Sequence, residues 1–201
     1  MAIYLVRHGE TRWTVEHRHT GTTDVPLTAS GEAQAARLQA RLRGTKFSKV
    51  LSSPMQRALV TSRRSGITPA AEVSPALREF DYGDYEGMTT EEILRSRPDW
   101  DLWRDGCPNG ESAAEVVERG RRVLQELAVE VDHDYALFGH GHALRALAVA
   151  YLGEPPDLCR HLVLSVASIS VLGCEHQSPV IEAWNLREAI MSGAGRGTGG
   201  P

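Results

Sequence analysis

The chain has 201 residues with 22 basic and 26 acidic side chains, a formal charge of −4, and is 41% hydrophobic and 24% charged. That is globular composition, long enough for one domain with its own core, and it excludes collagen, coiled coil and wholesale disorder. The mild acidity argues against nucleic acid as a partner, because a polyphosphate backbone calls for a basic face, so any bound anion must meet a local cluster of positive groups.

Ile3 to Val6 is a continuous apolar run of the kind found in a strand buried on both faces, and it leads straight into Arg7-His8-Gly9-Glu10-Thr11. Thr28 is the expected N-cap of a helix through Arg43, with Ala35, Leu38 and Leu42 on one face. Lys49-Val50-Leu51 reads as a second strand, followed by a helix from about Met55 to Ser65, and Ala70 to Val73 as a third strand. Leu77 to Gly110, rich in Gly, Asp, Tyr and Trp, reads as a structured excursion with one short helix over Thr90 to Ser96. Within it, Trp100 and Trp103 are expected to pack against the sheet edge. His17 and His19 read as loop residues beside the Thr20-Gly21 turn.

Ser112 to Val131 is the longest helical pattern, with Val116, Val123, Leu127 and Val131 at helical spacing. Glu115, Glu118, Arg119, Arg121 and Arg122 read as its solvated face. Tyr135 to Phe138 is a further buried strand running into Gly139-His140-Gly141-His142, and the helix after it stops at Gly153. Two β-type runs, Ser168 to Leu172 and Val180 to Trp184, close the fold. Residues 1–191 read as a single domain, and the glycine-rich stretch Ser192 to Pro201 as a disordered tail.

Strands alternating with helices predict an α/β layer fold with a mostly parallel sheet, in which ligands gather beyond the C-terminal strand ends. Arg7-His8, Arg57 and His140 all fall at such ends. Two arginines and two imidazoles around one point make an anion site, and a tetrahedral phosphoryl group has oxygens for all of them. A neutral imidazole can also carry a phosphoryl group covalently, and like-charge repulsion from two arginines would keep it neutral. Glu79, flanked by Phe80 and Tyr82, offers a carboxylic acid to protonate a leaving alkoxide and later to activate water.

Four segments carry a family resemblance: RHGE (Arg7 to Glu10), SSPxxRAxxT (Ser52 to Thr61), LRE (Leu77 to Glu79) and GHG (Gly139 to Gly141). In that order they resemble the signature of the histidine phosphatase, or phosphoglycerate mutase-like, superfamily. The resemblance implies a three-layer α/β/α fold. It also implies His8 as phosphorylated nucleophile, Arg7, Arg57 and His140 as phosphate holders, Glu79 as proton donor, and Thr14, Thr20 and Gly21 as lining of the phosphate pocket. REFDYGDYEGMTTEEI, WxxWRDGCPNGES and GHGHALR look like the branch containing actinobacterial acid phosphatases and fungal sedoheptulose-1,7-bisphosphatase. That likeness points to a small phosphorylated metabolite such as a sugar phosphate, with Tyr82, Arg104 and His142 expected at its non-reacting part.

The alternative is phosphoglycerate mutase-type transfer within one metabolite. Mutases of this superfamily carry a GLNK-like segment and a WRR motif, whereas this chain has Thr90 at the lysine's place and Asp105 at that of an arginine. Both changes remove positive charge that would retain an anionic intermediate, so phosphatase is expected. Two further readings weigh less. A metal site of His8, His140, His142 and Glu79 would share its pocket with two arginines that repel a dication, and a phosphate-binding module needs no nucleophile and acid together. The expectation is therefore an enzyme with no metal and no cofactor, acting on a small metabolite, away from membranes, with a homodimer as a compatible assembly. Cys107, Cys159 and Cys174 form neither a zinc signature nor a disulfide framework, and no signal peptide fits before Arg7, which points to the cytoplasm.

Overall fold

The computed structural model describes residues 1–127 and 133–187. The apolar runs form a six-stranded sheet: β1 (Ala2–Arg7), β2 (Phe47–Ser52), β3 (Glu72–Val73), β4 (Asp134–Gly139), β5 (Ile169–Glu175) and β6 (Ser178–Leu186), in the order β3-β2-β4-β1-β5-β6. β1, β2, β3 and β4 pair in parallel, and β5 is antiparallel to both of its neighbours. The expected third strand shrinks to Glu72–Val73, two exposed residues at the sheet edge.

Alternation along the central strands separates two cores. Ile3 and Leu5 of β1 and Tyr135 and Leu137 of β4 pack with Val123, Leu127, Leu144 and Leu147, on α6 (Ala113–Leu127) and α7 (Gly141–Leu152). Val6, Ala136 and Phe138 point the other way, onto Leu38 and Leu42 of α2 (Ala29–Leu42). Helices thus cover both faces of the sheet, giving the three layers. The Thr28 side chain caps α2 as expected, accepting from the Gly31 N–H at 3.0 Å. α3 (Gln56–Arg64) follows β2. α7 ends at Gly153, whose left-handed backbone (φ 74°) suits the residue without a Cβ. The pattern reaching Val131 and the glycine-rich stretch 192–201 both extend outside the described residues.

The excursion between β3 and α6 is indeed structured. It holds α4 (Thr90–Ser96), as expected, and α5 (Leu102–Asp105), which was not. Another short helix, α1 (Arg12–Val15), follows β1 and was not expected either. Phe80, Tyr82, Ile93, Trp100 and Trp103 form a third core with Val116 and Val117 of α6 and Ala146 and Val149 of α7. The tryptophans therefore pack on the α6–α7 pair, not on the sheet edge.

One reading of α6 is corrected. Glu115, Glu118, Arg121 and Arg122 are exposed, but Arg119 is only 8% exposed. It lies three residues after Val116 and four before Val123, on the buried side of the helix, where its guanidinium finds partners in the preceding loop. Among the described residues no helix is long and apolar enough to cross a membrane.

Candidate active site

β2, β4 and β1 are neighbours, so their C-terminal ends meet at one edge. There the His8 N–H donates to the Gly139 carbonyl at 3.0 Å and the Ser53 N–H to the Phe138 carbonyl at 2.9 Å. The ring centroids of His8 and His140 are 5.1 Å apart. The turn after His8 lies against the first turn of α2 so closely that a Cβ on Gly9 would fall 2.4 Å from the Gly31 carbonyl oxygen.

The hydrogen bonds fix both tautomers. His8 Nδ1 lies 2.7 Å from the Gly9 carbonyl, which can only accept, so Nδ1 carries the proton and Nε2 keeps its lone pair. His140 Nδ1 accepts from Arg57 Nε at 3.1 Å, so its proton is on Nε2, which lies 2.7 Å from Ser53 Oγ. Burial first, then the charges of Arg7 and Arg57, hold the His8 pKa well below its usual value. Burial thus outranks the like-charge repulsion of the two arginines. His140 is depressed in the same way, by burial and then by Arg57.

A cavity of about 350 Å³ opens on this edge. Of the residues expected at the site, Arg7, His8, Thr14, Thr20, Glu79, Tyr82 and His142 line it. Arg7 Nη1 donates to the Leu164 carbonyl, while its Nε is buried with no hydrogen-bond partner among the described residues. Glu79 is 8% exposed, and its carboxylate accepts from the backbone N–H groups of Phe80 (2.9 Å), His142 (3.1 Å) and Ala143 (2.8 Å). Its oxygens therefore rest on the first turn of α7, whose N–H groups and dipole attract negative charge. Tyr82 Oη is 2.6 Å from His142 Nδ1. Burial raises the phenol and depresses the imidazole, so both members of the pair are neutral.

Arg57 and His140 are fully buried behind that lining. Arg57 donates to the carbonyls of Thr23 (2.9 Å), Thr20 (3.1 Å) and Gly21 (3.0 Å) as well as to His140, so it orders the loop that carries Thr20 and Gly21. The Gly21 N–H donates to Glu86, and Gly21 lines a smaller neighbouring cavity of about 210 Å³ with Glu79. Arg104 is not brought to either cavity. Its exposed guanidinium is held by Asp105 at 2.8 Å and by the Asp99 carbonyl, a pairing open to it because Asp105 is an acid.

The sequence reading missed part of the wall. His17, Arg18, His19, Thr90 and Val166 also line the larger cavity. His19 packs between Tyr82 and Trp100, with ring centroids at 4.7 and 5.7 Å, and burial brings its pKa down to about 4. Its Nε2 lies 3.3 Å from Thr90 Oγ1. The one signal for it was its place directly before the Thr20-Gly21 turn. A larger groove of about 650 Å³ carries Arg37, Arg41 and Arg187 but none of the motif residues. Among the described residues no three His, Cys, Asp or Glu side chains converge as metal ligands.

Comparison with known proteins places the chain in a family. A family model described as histidine phosphatase superfamily (branch 1) matches residues 3–187. The chain is 38% identical to an acid phosphatase of Mycobacterium tuberculosis over 180 residues, 87% of each chain. It is 35% identical to sedoheptulose 1,7-bisphosphatase of Saccharomyces cerevisiae over 181 residues, 74% of this chain and 66% of that protein. It is 32% identical to a probable phosphoglycerate mutase of Proteus mirabilis over 201 residues, 94% and 92% of the two chains. The solved structure of an open-reading-frame product from Mycobacterium tuberculosis superposes with a TM-score of 0.88 at 36% identity, covering 92% of this chain and 97% of that one.

Proposed function

The chain belongs to the histidine phosphatase superfamily, and on that premise we propose that it hydrolyses phosphate monoesters of small metabolites, sugar phosphates among them, through a phosphohistidine on His8. The observation that carries the reading is the pairing of Arg7 and His8 on one cavity wall. Arg7 presents a buried Nε donor in need of an acceptor, and His8 presents an Nε2 lone pair that its Gly9 hydrogen bond leaves free. A phosphoryl oxygen satisfies the first and a phosphorus atom meets the second.

In the first step His8 Nε2 forms a bond to phosphorus as the bond from phosphorus to the ester oxygen breaks, and the leaving oxygen takes the proton of the Glu79 carboxyl. In the second, water attacks the phosphohistidine, gives its proton to the Glu79 carboxylate, and releases phosphate and free His8. Arg57 and the neutral His140 form the layer behind this chemistry, Arg57 fixing the Thr20-Gly21 carbonyls and supplying positive charge without contacting bulk water.

The outer wall supports hydrolysis of a polyol phosphate over mutation of an acidic one. Thr90, at the place of a mutase lysine, reaches the cavity as a hydroxyl, and Arg104, the surviving half of the mutase arginine pair, is held away by Asp105. Tyr82, His142 and His19 give the wall a neutral aromatic stretch suited to the C–H and O–H groups of a sugar, and Arg18, which also lines the cavity, has its guanidinium paired with Glu16 and Glu92.

The test is phosphate release in excess EDTA from nitrophenyl phosphate, 3-phosphoglycerate and several sugar mono- and bisphosphates, with His8→Ala alongside. Release by the wild type and none by the variant, fastest on sugar phosphates, is the expected result. Isomerisation of 3-phosphoglycerate without phosphate release would replace this reading with the mutase one.

A further inference from the structure

We infer that Arg119, with Glu111, is a positioning residue that sets the Glu79 carboxyl for proton transfer. The inference rests on the reading of Glu79 as proton donor. Arg119 Nη1 donates to the Ala76 and Arg78 carbonyls at 2.7 and 2.6 Å, and Nη2 to the Glu79 carbonyl at 3.1 Å. The same guanidinium grips Glu111 with two bonds, Nε to Oε1 at 2.9 Å and Nη2 to Oε2 at 2.8 Å. All the donors of the planar fork are thereby used. Glu111 Oε2 also accepts from the Asp81 N–H at 2.9 Å.

The loop is thus held on both sides of the acid, by its carbonyls up to Glu79 and by its N–H at Asp81. Glu79 has no comparable anchor on its own loop except the adjacent Phe80 N–H. Its other backbone donors come from α7, and α6, which bears Arg119, packs along α7 closely enough that a Cβ on Gly120 would lie 2.9 Å from the Leu147 Cα. Arg119 therefore references the Glu79 main chain to the helix pair on which the Glu79 side chain also rests. A lysine, with one compact ammonium, cannot reach three carbonyls and a carboxylate together.

The experiment measures kcat and KM of Arg119→Lys and Glu111→Gln on an alkyl phosphate and on nitrophenyl phosphate, each in wild-type and Glu79→Gln backgrounds, with thermal unfolding to show that each variant is folded. In phosphohistidine formation a misplaced acid harms only leaving groups that need its proton, so kcat/KM on the alkyl ester should fall about tenfold or more with little change on nitrophenyl phosphate, whereas kcat also contains the hydrolysis step that Glu79 serves as base for both esters. In the Glu79→Gln background the same substitutions should add nothing further. Equal losses of kcat/KM on both esters, or losses that persist in full without Glu79, would assign Arg119 a purely structural role and overturn the inference. Should Arg119→Lys not fold, Glu111→Gln, which keeps the amide in place of the carboxylate, reads the same signature. If Glu79→Gln itself shows no leaving-group dependence, the failure belongs to the acid assignment and the inference falls with it.

Discussion

Arg57 donates from Nε to Nδ1 of His140 at 3.1 Å, and this one bond determines which way the second active-site imidazole faces. With Nδ1 occupied as an acceptor, the His140 proton points at Ser53 Oγ. The other nitrogens of Arg57 hold the carbonyls of Thr20, Gly21 and Thr23. One guanidinium therefore orders two sides of the pocket. Arg57→Lys keeps the charge but not the fork, and turnover should fall about 100-fold or more, on the scale of losing a preorganised donor. Steady-state kinetics on a protein shown to be folded checks this, and a change of only a few fold would mean that charge alone suffices.

Stability should depend on pH through two buried histidines, His8 and His140, and two half-buried ones, His142 and His19. His8, His140 and His142 have pKa values well below 6.5, and His19 is at about 4, each with burial as the leading cause. Between the folded and unfolded values the unfolded chain binds more protons, so stability rises with pH across that window. The stabilisation is complete above about pH 6.5 and is lost on acidification below it, at up to ~1.4 kcal/mol per pH unit for each fully buried histidine. Urea unfolding between pH 5 and 7.5 should show the decline below about pH 6.5. A flat profile would mean that these imidazoles are not neutral in the folded protein.

Tyr82→Phe removes the hydroxyl that meets His142 Nδ1 at 2.6 Å. Loss of this half-buried hydrogen bond costs about 1 kcal/mol, visible as a lower melting temperature. On the proposal that Tyr82, a lining residue of the cavity, meets the non-reacting part of the substrate, KM for sugar phosphates should rise while kcat changes little. A collapse of kcat with KM unchanged would place Tyr82 in the chemical step instead.

Gly31 belongs to none of the motifs, yet a Cβ there would stand 2.1 Å from the Glu10 carbonyl oxygen. Gly31→Ala should push the His8 turn off α2, at a cost on the order of 3 kcal/mol, and reduce turnover with it. Thermal unfolding and kinetics on the same preparation check both. An unaltered melting temperature would show that the turn has slack.

Much of this arrangement was legible in the sequence because strands buried on both faces announce themselves as unbroken apolar runs. Ile3 to Val6 and Tyr135 to Phe138 became β1 and β4, and of the polar residues that end them Arg7 and His8 line the candidate site and His140 lies buried behind it. Thr28 gave the start of α2 because a cap is a local interaction. What failed was non-local. Arg119 has core spacing on α6, but a charged side chain there reads as solvated until the loop carbonyls that receive it are known. His19 gave no periodic signal, and only the fold brings Tyr82 and Trp100 against it. Arg104 was placed by motif, and its neighbour Asp105 took it out of the pocket.

The central claim is covalent transfer of the phosphoryl group to Nε2 of His8. The most direct measurement mixes enzyme with a sugar phosphate for less than one turnover, quenches in alkali to spare the labile phosphorus–nitrogen bond, and maps phosphorylated peptides by mass spectrometry. The account requires one added phosphoryl group on the peptide containing His8, growing and then decaying as free phosphate appears, and absent from His8→Ala. Phosphate release at full rate with no phosphopeptide at any time, or with the label on another residue, would contradict it.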